Sequence, residues 1–377
     1  MSRKKILVVG FDEEGEKMYP HTYDWLKLLR DHHDVTYYGG DDKGFNLYLK
    51  DGELSKINKL LNRSKYKKTE QWYDERINKI STEIKNLFSH DYDTVIAMDH
   101  SALYHTCKFI NKKKSKLIFW SYDIITCDHF WYIKAPSIRN MIEENRKTIN
   151  MVDHIIVQDY FRGAVLDSSV FSHQIPKTYI PVSLLSDEFS ESTAKKKTEN
   201  HFTNQKPVLM QVGAINAARF SDELIKILQK KHTEFGLKLL GFPSKEIYEF
   251  NEHIKYKPEL LTPRDSLKEM RETISTAEIG IVGLNECNLN NLFYSKASGQ
   301  AVEFLRMGIP LIVIGHKEAG TFFEKCKSGI YIEDCSALLV VIEKIKSSYR
   351  SYSQDSYTLF NKEFNLTNYS NDLLYVI

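Results

Sequence analysis

Short apolar runs of strand length recur along this 377-residue chain, with helix-length material between them. In the first half they are Ile6–Gly10, Val35–Tyr38, Thr94–Met98, Leu117–Trp120, Ile155–Val157 and Thr178–Val182. In the second they are Val208–Val212, Leu237–Leu240, Ile279–Leu284, Leu311–Ile314 and Ile330–Ile332. Near-continuous apolar strands alternating with helices imply parallel sheets covered on both faces. Each half restarts with a strand and a glycine, KKILVVG and then KPVLMQVG, and the polar stretch SDEFSESTAKKKTENHFTNQK between them reads as a linker. The expectation is an α/β protein of two doubly wound Rossmann-like domains, 1–185 and 207–345, joined through 186–206. Ligands of such sheets gather beyond the C-terminal strand ends, so the site is expected in a cleft onto which both domains face.

Composition narrows the function. A formal charge of +2 argues against a general nucleic-acid binder. The five cysteines (Cys107, Cys127, Cys287, Cys326, Cys335) are scattered and never in C-x-x-C spacing, which points to a reducing compartment without a disulfide framework or a zinc site. MSRKKILVVGF lacks the form of a signal peptide, and no apolar run approaches the roughly 20 residues a membrane span needs. The expected location is cytoplasmic, with peripheral contact at the inner face of a membrane as an extension. The segment Leu54–Phe88 bears on that extension, since it is basic and has apolar positions at helical spacing. Its other reading is a solvated helix face.

The most chemical stretch is SKASGQAVEFLRMGIPLIVIG, Ser295 to Gly315. A helix starting behind Ser298 and Gly299 presents free backbone N–H groups, a seat for a phosphate. Glu303 follows about one turn later and can accept hydrogen bonds from a vicinal diol such as a ribose. Phosphate seat plus diol acceptor suggests a nucleotide site. The plainer reading is an amphipathic helix stopped by Gly308 and Pro310 ahead of a buried strand.

These features together resemble the GT-B glycosyltransferases, nearest in pattern to the GT4-like "glycosyl transferases group 1". The resemblance implies metal-independent transfer, of the retaining type, from a nucleoside-diphosphate sugar held by the C-terminal domain. It implies no separate cofactor, an acceptor on the N-terminal domain, and a C-terminal segment (346–377) that returns to that domain. Glu303 falls at the second Glu of the family's E-x7-E motif, where the donor ribose is held; the first Glu is replaced by Ser295. Ser298 and Gly299, with Gln300 beside them, fall where backbone groups meet the diphosphate. In PVLMQVGAINAARF, Gly213 fits the family's glycine, Ala214 replaces its Arg, and Arg219 stands where a Lys is expected. A guanidinium there can hold the departing diphosphate.

In the N-terminal half, KLIFWSYDIIT resembles a strand that ends in His-Asp facing the donor sugar, with Tyr122 and Asp123 in those places. Asp123 is assigned to sugar hydroxyls or the acceptor, its alternative being a cap on the next segment. Asp99 and His100 end the preceding strand, and His100 joins Tyr122 and Asp123 as a sugar or acceptor contact. No G-x-G-x-x-G follows the first strand; its loop is FDEEG, which disfavours a dinucleotide cofactor. Gly241-Phe242-Pro243 and Leu260-Leu261-Thr262, ahead of a helix expected from Asp265 to Thr276, are placed near the nucleoside. Asn285, Glu286 and Asn288 are candidates to replace the missing Glu.

The expected function is a glycosyltransferase acting on a glycan or lipid-linked acceptor, with polysaccharide biosynthesis as its setting. A catalytically silent GT-B-like scaffold that binds a nucleotide-sugar or glycan is the alternative, and a nucleotide-sugar epimerase is a third reading.

Overall fold

The computed structural model describes residues 3–10, 20–40, 45–50, 53–59, 81–82, 84–171, 174–199, 206–262, 267–285 and 288–377. The chain divides into two units. The first is Met1–Pro181 with Asn288–Asn290 and Tyr369–Ile377; the second is Val182–Cys287 with Asn291–Asn368.

The first unit holds an eight-stranded sheet. Its strands are β1 (Lys5–Val9), β2 (Asp34–Gly40), β3 (Phe45–Lys50), β4 (Glu53–Lys59), β5 (Thr94–Met98), β6 (Lys116–Trp120), β7 (His154–Val157) and β8 (Lys177–Tyr179). Their order is β4-β3-β2-β1-β5-β6-β7-β8. Strands β2 to β8 through β1 are parallel, whereas β3 and β4 add an antiparallel edge. That edge corrects one expectation. The basic segment Leu54–Phe88 begins as strand β4, not as a helix; a helical stretch is described at 84–87, and 60–80 lies outside the described residues. Antiparallel pairing with β3 overrode a loose helical periodicity, as tertiary context commonly does.

The second unit holds a six-stranded, all-parallel sheet. It comprises β9 (Val208–Ile215), β10 (Gly236–Pro243), β11 (Glu259–Leu261), β12 (Ile279–Gly283), β13 (Leu311–Ile314) and β14 (Gly329–Ile332), in the order β11-β10-β9-β12-β13-β14. Successive strand residues go to opposite faces. Leu209, Ile281 and Ile312 therefore enter one core while Met210, Val282 and Val313 enter the other. Burial on both faces is the physical reason these strands read as unbroken apolar runs. The order reverses at β9/β12, and the analogous reversal in the first sheet is at β1/β5.

The segment 186–206 is not a featureless linker. Glu188–Glu199 is a helix, with Ser190, Thr193 and Ala194 buried against helix Tyr349–Leu359. A Cβ on Gly308 would sit 3.3 Å from Ala194, so this face is built from small residues that let backbones approach. Small residues leave no apolar period to read, which is why the helix is silent in sequence. The helix expected from Asp265 runs Leu267–Ser275, and Asp265 lies outside the described residues. Helices Leu338–Ser347 and Tyr349–Leu359 belong to the second unit, while Ser370–Val376 belongs to the first. Among the described residues no helix is long and apolar enough to cross a membrane.

Candidate functional site

In the second unit the site grows from the reversal point. β9 stays paired with β10 as far as Ile215↔Pro243, but its pairing with β12 stops at Gln211↔Ile281. Beyond that point β9 and β12 part at their C-terminal ends, which makes the crevice that doubly wound sheets use for ligands. Gly213 lies at its edge with φ +96°, and a Cβ there would collide with the Gln300 amide. Gly241 on β10 has φ +155°, and a Cβ there would strike the Gly213 carbonyl. Gly213 and Gln300, 87 residues apart by numbering from 213 to 300, are thus brought into contact by backbone that only glycine permits.

Gln300 stands in the first turn of helix Gly299–Arg306, whose N-cap is Ser298; the Ser298 hydroxyl accepts from Ala301 N at 3.2 Å. The loop after β9 is fixed from beneath by a buried polar relay absent from the sequence reading. Gln211 donates through Nε2 to the Arg219 carbonyl at 2.7 Å and accepts from the Ser221 hydroxyl at 2.7 Å. Ser221 in turn accepts from Asn216 N at 3.0 Å. Gln211 is 2% exposed, and its polarity inside VLMQVG was the available signal. The relay acts on backbone and leaves the Arg219 side chain half-buried.

Glu303 is buried, 4% exposed, on the same helix. Its oxygens lie 3.5 Å from Arg271 Nε and 3.9 Å from Arg306 Nη1, distances of charge pairing too long for hydrogen bonds. Asp187 joins this group through Arg271 at 3.4 Å and through a hydrogen bond from Arg306. Burial alone would raise the Asp187 carboxyl, but hydrogen bonds from Ser190 and the two guanidinium charges hold it below the usual range. Of the residues proposed near the nucleoside or sugar, Asn285 spends its amide on the Ala217 carbonyl at 2.9 Å. Asn288 is buried, and Glu286 lies outside the described residues.

In the first unit the sequence pointed to Tyr122, Asp123 and His100. Asp99, at φ +66°, accepts from Tyr122 N at 2.7 Å and Asp123 N at 3.1 Å, so the two are held as a pair at the end of β6. Arg162, 1% exposed, reaches the same turn. Its Nη2 donates to the Tyr122 carbonyl at 2.6 Å and to Asn290 Oδ1 at 2.8 Å; Nη1 donates to the Asn290 carbonyl at 2.9 Å; Nε donates to Gln158 at 2.7 Å. Burial lowers the Arg162 pKa while Asp123, Asp159 and Asp99 oppose the shift. Asp123 is exposed, and one of its oxygens accepts from Asn290 Nδ2 at 3.2 Å. The Tyr122 hydroxyl lies 3.4 Å from Thr22 Oγ1, with its ring edge-on to His21 at 4.7 Å. The loop FDEEG lies outside the described residues.

His100 is a correction. It is 1% exposed, with Phe119 at 5.4 Å and Phe171 at 5.8 Å between ring centroids, so it is a core side chain that offers no atom to a sugar. Helix Asp99–Phe109 turns it inward directly after the strand. Burial lowers its pKa, and that of His21, from 6.5 to about 3. The unfolded chain then binds more protons than the folded one below pH 6.5, so stability present above that pH is lost as pH falls toward 3. At pH 5 the loss is about 2 kcal/mol per histidine. Urea unfolding at pH 7 and pH 5 should show it, and His100→Leu should remove about 2 kcal/mol of the difference; an unchanged difference would refute the assignment.

No family model matches the sequence, and no curated protein matches it. Solved structures do match in fold. Sucrose-phosphate synthase from Thermosynechococcus elongatus superposes with a TM-score of 0.70 at 12% identity, over 99% of this chain and 98% of that one. HepE from Anabaena, in complex with UDP and glucose, gives 0.67 at 11% identity over 99% of both chains. The UDP-forming α,α-trehalose-phosphate synthase from Burkholderia xenovorans, in complex with glucose-6-phosphate, gives 0.67 at 10% identity over 99% of both. The class of protein is therefore fixed at the level of fold: two Rossmann-like units of the GT-B type.

Proposed function

We propose that this chain is a glycosyltransferase that moves a sugar from a nucleoside-diphosphate sugar to a glycan or glycolipid acceptor. The observation that carries the reading is the meeting of Gly213, Gln300 and the Ser298-capped helix at the reversal point of the second sheet, with Arg219 on the loop directly above β9. The diphosphate would take backbone N–H groups of Gly299 and Gln300 and the Arg219 guanidinium, which together neutralise charge as the sugar departs. In this reading no metal is required for that step, and transfer is of the retaining type. Glu303 would accept from the ribose diol. Among the described residues its two oxygens have no hydrogen-bond donor, while Arg271 and Arg306 keep its charge compensated.

Asp123, exposed beside a turn locked by Asp99 and Arg162, would contact sugar or acceptor hydroxyls, with Tyr122 next to it. The complexes of fold neighbours with UDP, UDP-glucose or glucose-6-phosphate support a nucleotide-sugar donor and a sugar acceptor. The expected setting is the cytoplasmic face of a membrane or the cytoplasm. The second reading, a silent binding scaffold, is favoured by Ser295 and Ala214, which stand where the family pattern has Glu and Arg.

Thermal unfolding with UDP, GDP, dTDP, ADP and CMP tests the donor site. A ligand at a hundred times its Kd adds about 2.7 kcal/mol to the native state, so one of the five should raise Tm by several degrees. Glu303→Gln, which removes the charge and keeps the shape, should lose most of that rise. Should none of the five raise Tm, the nucleotide reading is wrong. A nucleotide that binds without any hydrolysis or transfer from its sugar conjugate would favour the scaffold.

A further inference from the structure

At the C-terminal ends of β7 and β8 the first unit carries an exposed aromatic cluster. Tyr160 and Phe161 open helix Tyr160–Val165 shortly after β7, and Tyr179 is the last residue of β8, paired with Val157 at the end of β7. The three side chains are 67%, 60% and 40% exposed. Ring centroids lie 6.0 Å apart for Tyr160 and Phe161, and 6.2 Å apart for Tyr160 and Tyr179. Three large rings left in water side by side, at strand ends of the kind that hold ligands in doubly wound sheets, mark a contact surface. The surface is also set in place beforehand. Asp159 caps the helix by accepting from Arg162 N at 2.9 Å. The Tyr179 ring lies over Gly163, where a Cβ would come within 3.0 Å of it. Lys177 packs over the same glycine, and its ammonium pairs with Asp167 at 2.6 Å.

We propose that Tyr160, Phe161 and Tyr179 form a platform on which a neutral glycan stacks, a subsite that makes the acceptor an oligosaccharide and not a single sugar. The chemistry selects this occupant. A pyranose offers a face of C–H bonds to an aromatic ring and a rim of hydroxyls to its surroundings, and tyrosine answers both with an apolar body and a polar tip. An anionic lipid surface would require free basic side chains. Here Lys177 is committed to Asp167, and Asp159 adds a second carboxylate immediately ahead of Tyr160. Placement assigns the platform to the acceptor. Arg162, the residue after Phe161, donates to the Tyr122 carbonyl at 2.6 Å, so one helix start presents the rings and holds the turn that carries Asp123. The inference rests on the reading of Asp123 as an acceptor contact and extends it to a second sugar unit. Rings fixed by Gly163 and the Asp159 cap lose little freedom when a glycan settles on them.

The test is ligand-observed NMR titration of the full chain with glucose, maltotetraose, cellotetraose and chitotetraose. At least one tetrasaccharide should bind wild type, and more tightly than glucose. Tyr160→Ala should weaken that tetrasaccharide about tenfold and leave glucose unchanged, whereas Tyr160→Phe, which keeps the ring, should stay within about twofold of wild type. Position 160 is an exposed one, so the melting temperature of both variants should hold. Asp123→Ala should weaken glucose and the tetrasaccharide alike. Loss with Tyr160→Ala but none with Asp123→Ala would uphold the platform as a glycan site and reject Asp123 as its neighbour. Equal affinity of wild type and Tyr160→Ala for every tetrasaccharide would overturn the platform while leaving the Asp123 reading in place. A wild type that binds none of the tetrasaccharides would overturn it as well. So would a wild-type dimer in sedimentation that Tyr160→Ala dissolves, since the rings would then be an interface with a second copy.

Discussion

Arg162→Met should destabilise the protein by about 3–5 kcal/mol, the largest single effect we expect on stability. The guanidinium is 1% exposed, and its four hydrogen bonds hold the Tyr122 carbonyl, both oxygens of Asn290 and the Gln158 amide. Methionine fills much of the same volume but donates nothing. Asn290 Oδ1 would keep its bond from Ile124 N at 2.9 Å, but the Tyr122 and Asn290 carbonyls and the Gln158 amide oxygen would lose this donor, and each stranded group costs about 1–3 kcal/mol. Arg162→Lys should recover only part of the loss, since one ammonium cannot serve a fork of acceptors on three residues. Urea unfolding with an unchanged m-value would measure it. A loss under about 1 kcal/mol would show that water replaces the guanidinium, and the turn at Tyr122 and Asp123 would no longer be called rigid.

Arg219→Ala should leave the fold intact and reduce sugar transfer by about 10²–10³-fold. The separation of the two effects follows from the local chemistry. Gln211, Ser221 and Asn216 hold this loop through backbone and buried side chains: Gln211 donates to the Arg219 carbonyl, and the Arg219 amide donates to the Asn216 carbonyl at 3.1 Å. Truncating the side chain leaves those bonds in place. What is lost is the charge that would stabilise a departing diphosphate, a demand that grows in the transition state. The fall is expected in kcat, with Arg219→Lys intermediate. Full activity in Arg219→Ala would reject the guanidinium as the leaving-group partner.

Much of the fold was legible because strands buried on both faces have no alternative to being apolar. LVV, VIAM, LIVI and IGIVG mark their own positions. Ser298 as an N-cap was legible too, since capping uses one residue type at one place. The hairpin β3–β4 was not, because an edge strand beside a basic stretch shows neither clean alternation nor a continuous run. The helix at Glu188–Glu199 was hidden by its own method of burial, which uses Ser190, Thr193 and Ala194. His100 looked like a site residue because it follows a strand end. Its side chain turns inward with the helix, a direction that one position in a sequence does not carry.

The sequence by itself determined two doubly wound α/β units, the glycines near the C-terminal ends of β9 and β10, and the small-residue helix start at Ser298. Those are local properties of propensity, period and backbone freedom. The tertiary structure alone decided which polar groups meet: Gln300 with Gly213, Glu303 with Arg271 and Arg306, and Arg162 with Asn290. Each of these pairs except Glu303 with Arg306 joins residues far apart in the chain. The free energy that brings them together comes from the apolar cores around them, so the polar groups themselves carry no trace of their partners in sequence.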